Sequence, residues 1–172
     1  MPERISLPQR SKFVSLGGAF TSHTAAERPK KWPDVWTVPD AAVVGPGEAI
    51  ELPPEVEDVV IGPELTAVVS ESMYRVDESE VAAAIAGFTV TTDVTVKGEW
   101  PGYANENHPH ITGTGYKIFP TFRPTLSEYV PFSIEAVGGL NVEAIVDGET
   151  VVEGSTASLG FSIPEIDRKS VV

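Results

Sequence analysis

The stretch "FTVTTDVTV", Phe88 to Val96, alternates β-branched residues with polar ones and reads as a strand that carries an acid, Asp93, in its interior. Just before it, "DESEVAAAIAG" offers Asp77 as a helix cap, Glu80 to complete a capping box, and Gly87 as the stop. Earlier still, "ELTAVVSESMY" is a strand by its Val, Thr and Tyr content. Its entrance, "IGPELTAVV" (Ile61 to Val69), sets one carboxylate, Glu64, ahead of an apolar run. With only one short helix between the two strands, Glu64 and Asp93 can meet at one end of a sheet.

Working outward, the Gly and Pro residues of "VVGPGEAIELPP" bracket a short strand expected at Glu48 to Leu52. The first forty residues are Pro-rich and irregular, with one helical turn expected after Ser22. Residues Gly98 to Thr114 lack periodicity and read as a long loop, a lid by its length. "NVEAIV", "DG" and "ETVVEG" form a hairpin, because Asp147 and Gly148 suit the positive φ angles of a type I′ turn. In "SIPEIDRKSVV", Ser162 caps a helix with Pro164 in its first turn and Glu165 closing the box.

A chain of 172 residues with 41% hydrophobic content has the composition of one globular domain, and Gly 15 with Pro 15 makes it rich in strands and turns. No apolar stretch reaches the roughly 18 residues of a membrane-spanning helix, and the first ten residues lack the layout of a secretion signal, so a cytoplasmic protein without a membrane partner is expected. The absence of cysteine excludes disulfides, thiolate metal sites and a Cys nucleophile. A formal charge of −13 repels phosphate backbones, which argues against nucleic acid. The same acid excess, spread along the chain, fits a halophile-like protein kept soluble where salt screens self-repulsion.

Several residues are suited to chemistry, each beside a plainer reading. Glu64 and Asp93 are oxygen ligands of the kind Mg²⁺ takes at about 2.0–2.1 Å, or else a strand-end acid and an edge residue in solvent. Lys117, among Tyr116, Phe119 and Phe122, either holds a substrate carboxylate or snorkels at the surface. His108 and His110 form an HxH pair that hints at metal but lies in loop sequence without a third ligand. His23 and Glu27, four apart, form a general-base pair or a surface polar pair. No GxSxG elbow, phosphate-cradling Gly loop or HExxH is present, so serine hydrolase, nucleotide-binding and zincin chemistry lack their motifs.

Taken in order, "GGAFTSHTAAE", "VVGPGEAIELP", "GPELTAVVSE", "AAAIAGFTVTTDVTVKGEW", "GYKIFPTFRPTL" and "VDGETVVEGSTASLGFSIPEI" resemble the successive landmarks of the fumarylacetoacetate hydrolase family, from about Gly17 to Ile166. The resemblance implies an α+β, mainly β fold: a mixed β-roll or β-sandwich with a few short helices. Residues 1–47 would form the irregular N-terminal segment with its lid helix, and 48–172 a catalytic-type core, incomplete at the C-terminal end relative to the family. It implies a homodimer that hydrolyses, hydrates or decarboxylates 2-oxo acids of the acylpyruvate or fumarylacetoacetate type at a Mg²⁺ or Mn²⁺ site.

The same resemblance implies the roles of individual residues. Glu64 matches the second metal-binding acid and Asp93 the third, whereas Gly62 stands where the first acid is expected, so the ion would be held weakly. Lys117 matches the lysine that steadies the substrate carboxylate, although Pro120 replaces a nearby acid. Lys97 stands for a substrate-binding arginine and keeps the charge without the bidentate fork. His23 takes the position of the general base, with Ala26 where a glutamate is expected and Glu27 one residue on, which turns the acid by about 100° on a helix. The alternative to a metal-dependent enzyme is a catalytically degenerate member serving ligand binding or assembly.

Overall fold

The chain opens with short extended pieces: β1 (Ile5–Ser6), β2 (Val14–Gly17), β3 (Asp34–Thr37) and β4 (Val43–Val44). Two long strands follow, β5 (Val59–Val69) and β6 (Ile85–Val96), linked through α1 (Glu78–Ala84). The remainder comprises β7 (Arg123–Pro124), β8 (Glu128–Tyr129), and the hairpin of β9 (Asn141–Val146) with β10 (Glu149–Ser155). These elements belong to a computed structural model that describes residues 3–9, 12–21, 33–54, 56–97, 113–131 and 133–165.

The β5–β6 ladder is the backbone of the architecture, antiparallel over its whole length, with Gly62 opposite Asp93 and Glu64 opposite Thr91. Among the described residues β5 pairs only with β6, and this edge position tolerates Pro63, which has no N–H to donate outward. On its other side β6 reaches the later part of the chain through bridges Phe88 to Val130 and Thr91 to Thr125. β7 runs parallel to β4, whereas the other pairs (β1 with β8, β2 with β3, β9 with β10) are antiparallel, so the strands are mixed in direction. The expected α+β, mainly β class is the class observed, with no closed barrel among the described residues. No helix of the described residues is long and apolar enough to cross a membrane.

Alternation in β6 sorts two environments. Val94 and Val96 turn to one side and pack with Val56 and Phe122 in a buried apolar cluster flanked by Val59, Ile61, Tyr116 and Phe119. Thr89, Thr91 and Asp93 turn to the other side and are buried as well, at 5%, 2% and 8% exposure. The polar face of this strand is therefore an interior face. Asp93 is neither an edge residue nor a turn residue.

Local chemistry explains which expected elements form. Asp77 accepts from the backbone of Ser79 and Glu80 while Glu80 returns a bond to Asp77 N, so the capping box is made. The helix nevertheless ends at Ala84, before Gly87, because Ser70 donates to Ala84 O from both its N and its Oγ and Ile85 already pairs with Val69. Gly87 serves packing instead: a Cβ there would lie 2.3 Å from Val130 O. The strand expected at Glu48 to Leu52 is not formed, since Gly45 and Glu48 close a local turn on each other, with Gly45 N donating to Glu48 Oε1 at 2.7 Å. The pairing goes to β4 just upstream. At the hairpin, Asp147 and Gly148 adopt φ 52° and 86°, as the turn requires.

Candidate active site

On the polar face of the β5–β6 ladder, Gly62, Glu64 and Thr66 stand beside Thr89, Thr91 and Asp93, because alternate residues of paired strands share a side. Glu64, Thr66, Thr89, Thr91 and Asp93 of this face line a cavity of about 580 Å³, together with Ser15, Leu16, Trp36, Phe88, Arg123 and Thr125. Thr66 and Thr91 hydroxyls bond each other across the strands at 3.0 Å.

Two cations converge on Asp93. Lys117 Nζ contacts its Oδ2 and also donates to Thr95 Oγ1 at 2.7 Å, with the Trp36 ring centroid 6.0 Å away. Arg123 Nη2 lies 2.6 Å from Oδ1, and the side chain is 2% exposed. That contact is an ion pair out of line with the N–H direction: Asp93 Oδ1 and Arg123 Nε and Nη2 have no aligned hydrogen bond among the described residues. Both cations are aimed by one segment. Thr121 turns the chain at φ 67°, a left-handed value uncommon for a β-branched residue, and its Oγ1 accepts from Glu51 N at 2.7 Å. Phe119 packs edge-on against Phe122 at 5.2 Å, and Val94 N donates to Phe122 O, which fixes Arg123 beside β6.

Glu64 completes the group. Burial first and the Asp93 charge second push its carboxyl up to about 7, against the pull of Arg123 and Lys117 the other way. Its Oε1 leans toward the space left by Gly62, lying 3.7 Å from where a Cβ at that position would stand.

The structure thus brings Glu64, Asp93 and Lys117 together and adds Arg123, which the sequence reading did not single out. The available signal was a lone arginine in an apolar, Pro-rich stretch, since a buried arginine requires an acidic partner. Lys97 stands apart: it is 63% exposed and pairs with Asp58 at 3.4 Å, outside the cavity. His23, Glu27, His108 and His110 lie outside the described residues.

Residues 12–166 match the family described as fumarylacetoacetate (FAA) hydrolase C-terminal. The chain belongs to the fumarylacetoacetate hydrolase family. Relatives include an uncharacterized protein of Archaeoglobus fulgidus, 28% identical over 162 residues that cover 89% of this chain and 58% of that protein. Another is the mitochondrial oxaloacetate tautomerase Fahd2a of Rattus norvegicus, 25% identical over 157 residues, 90% of this chain and 49% of the tautomerase. The fold matches the crystal structure of 5-carboxymethyl-2-hydroxymuconate delta-isomerase from Mycobacterium smegmatis, with a TM-score of 0.74 at 22% identity, covering 94% of this chain and 60% of that one. The chain therefore spans about half to three fifths of the length of these relatives.

A divalent ion, implied by the family resemblance, can be tested against the donor set. Among the described residues no group of three metal-ligating side chains forms. Of the two acids present, Asp93 already carries a cation on each oxygen, and burial disfavours the charged form of Glu64 that a metal ion needs. At an effective dielectric of about 20, two unit charges about 4 Å apart interact by about 4 kcal/mol, so a dication beside Lys117 and Arg123 meets repulsion of the same order as its attraction to Asp93. The residues as arranged do not fit a resident divalent ion.

Proposed function

We propose that this protein is an enzyme acting on short 2-oxo acids. The observation that carries the reading is the convergence of Lys117 and Arg123 on Asp93 beside Glu64, with Glu64, Asp93 and Arg123 lining one cavity. A 2-oxo acid has a carboxylate for the cations and an acidic C–H beside its ketone. Relocating that proton is the reaction the arrangement suits best. A carboxyl titrating near 7 is matched to proton transfer at neutral pH, which places Glu64 as the transferring group, while Lys117 and Arg123 oppose the negative charge of the enolate. The names of the relatives, a tautomerase and an isomerase, are in keeping with this chemistry.

Metal-dependent C–C hydrolysis of an acylpyruvate is the finer form implied by the resemblance, with His23 and Glu27 activating water. It would need an ion that displaces Lys117 or Arg123 from Asp93, and the geometry favours proton relocation over it. A second reading, a member that binds its ligand without turning it over, draws on Gly62, which leaves the wall one acid short of the family pattern. A homodimer remains our expectation, open to light scattering.

The test is ultraviolet-monitored keto–enol interconversion of oxaloacetate alongside acylpyruvate breakdown, each with and without Mg²⁺. Interconversion is expected, rising with pH through about 7 as Glu64 loses its proton and falling on the order of a hundredfold in Glu64→Gln. Absence of turnover of either substrate, with ligand binding intact, would leave only the second reading.

A further inference from the structure

We infer that Arg123 supplies the positive charge that a divalent ion would otherwise bring, and that the cavity takes the carboxylate of a small organic acid directly, without metal. This rests on the reading of the cavity as a 2-oxo acid site and goes beyond it by naming what holds the acid.

Arg123 has hydrogen-bond capacity to spare. A guanidinium has five N–H donors, and in a side chain 2% exposed each needs an acceptor. Asp93 Oδ1 gives Nη2 a close but misaligned contact, and Nε has no partner among the described residues. Nearby hydroxyls do not remedy this. Thr125 Oγ1 bonds Arg123 O, Thr89 Oγ1 bonds Glu128 O and Thr66 bonds Thr91, and none of these hydroxyls accepts from Nε or Nη2 of the guanidinium. The unmet need is for an acceptor, and an incoming carboxylate is a planar pair of acceptors that matches the fork.

Charge points the same way. Lys117 and Arg123 both stand on Asp93, two cations on one carboxylate, beside a Glu64 whose charged form burial disfavours, so an anion offsets the local excess of positive charge and a dication adds to it. Gly62 points there too. A Cβ there meets only Glu64 Oε1 at 3.7 Å and Asp93 O at 4.0 Å, both ordinary contacts, so packing does not forbid a side chain at that position. The glycine, opposite Asp93 and beside Glu64, keeps another acid away from the cluster, which is what an anion site needs and a metal site does not. The strand β7 that delivers Arg123 is held on both sides, by its parallel pairing to β4 and by the Val94 to Phe122 bond. The cation is built in.

Oxalate, the smallest analogue of a 2-oxo acid enolate, is the probe. Calorimetric titration of the full chain in EDTA should show oxalate binding that excess Mg²⁺ improves by no more than about twofold, and Mg²⁺ or Mn²⁺ alone should give no binding heat. Arg123→Lys, which keeps the charge and loses the fork, should weaken oxalate by roughly tenfold. Gly62→Glu should weaken it by a similar factor through added negative charge, and because the position is open this variant tests the idea even where the buried lysine fails to fold. Oxalate binding that requires Mg²⁺ would overturn the inference while leaving the 2-oxo acid reading standing. Absence of oxalate binding with and without Mg²⁺ would overturn both.

Discussion

Glu64 is the one carboxyl of the cavity wall whose protonation is tied to folding in a calculable way. Its value moves from the ordinary 4.5 to about 7 in the folded chain, chiefly through burial. At 1.36 kcal/mol for each tenfold change in proton affinity, that difference amounts to about 3 kcal/mol. The sign follows from which state releases its proton first. Between pH 4.5 and 7 the unfolded chain has lost the Glu64 proton and the folded chain still holds it, so folding binds a proton and stability falls as pH rises. The contribution is fully present below 4.5 and gone above about 7. In Glu64→Gln the amide cannot ionise, so this pH-dependent loss disappears. Urea unfolding of both proteins across this range, at constant ionic strength, isolates the effect, since other acids titrate equally in both. The difference should grow in favour of the variant by about 3 kcal/mol from pH 4.5 to about 8. For a chain of this size that corresponds to a gap of about 6–12 °C in melting temperature. Parallel stability curves would refute the burial argument for Glu64.

Other perturbations follow from single contacts. Asp77→Ala removes the acceptor for Ser79 and Glu80 at the start of α1 and should cost about 1 kcal/mol in urea unfolding; no change would mean the cap is not formed in solution. Gly87→Ala forces a Cβ against Val130 O and should cost about 1–3 kcal/mol or more, with loss of protection from hydrogen exchange at Phe88 N and Val130 N, which bond across that bridge. With a formal charge of −13, the chain should gain stability between low salt and about 1 M KCl; equal stability in both would contradict the self-repulsion argument.

What could be read from the residues was whatever short-range pattern determines. The β6 alternation, the Asp77 box and the Asp147–Gly148 turn are each decided within a few residues, and each is formed. The strand expected at Glu48 to Leu52 fails because strand propensity there has no partner, while a local turn satisfies Gly45 and Glu48 at once. The helix stop shifted from Gly87 to Ala84 for a tertiary reason, the Ser70 bonds to Ala84 O, which spacing along one segment does not reveal. Glu64, Asp93 and Lys117 were legible both in the character of their own segments and in motif order. Arg123 was not, because its role depends on β7 lying beside β6, a contact about 30 residues removed in sequence from Asp93.

Glu64, Asp93, Lys117 and Arg123 together form one place where an organic acid sits. A crystal of the full chain grown in EDTA and soaked with oxalate addresses this directly. Density for the anion in the Glu64, Asp93 and Arg123 cavity, with a carboxylate within hydrogen-bond distance of Lys117 or Arg123, is the expected result. An empty cavity at saturating oxalate, or an anion bound only elsewhere on the surface, would contradict it.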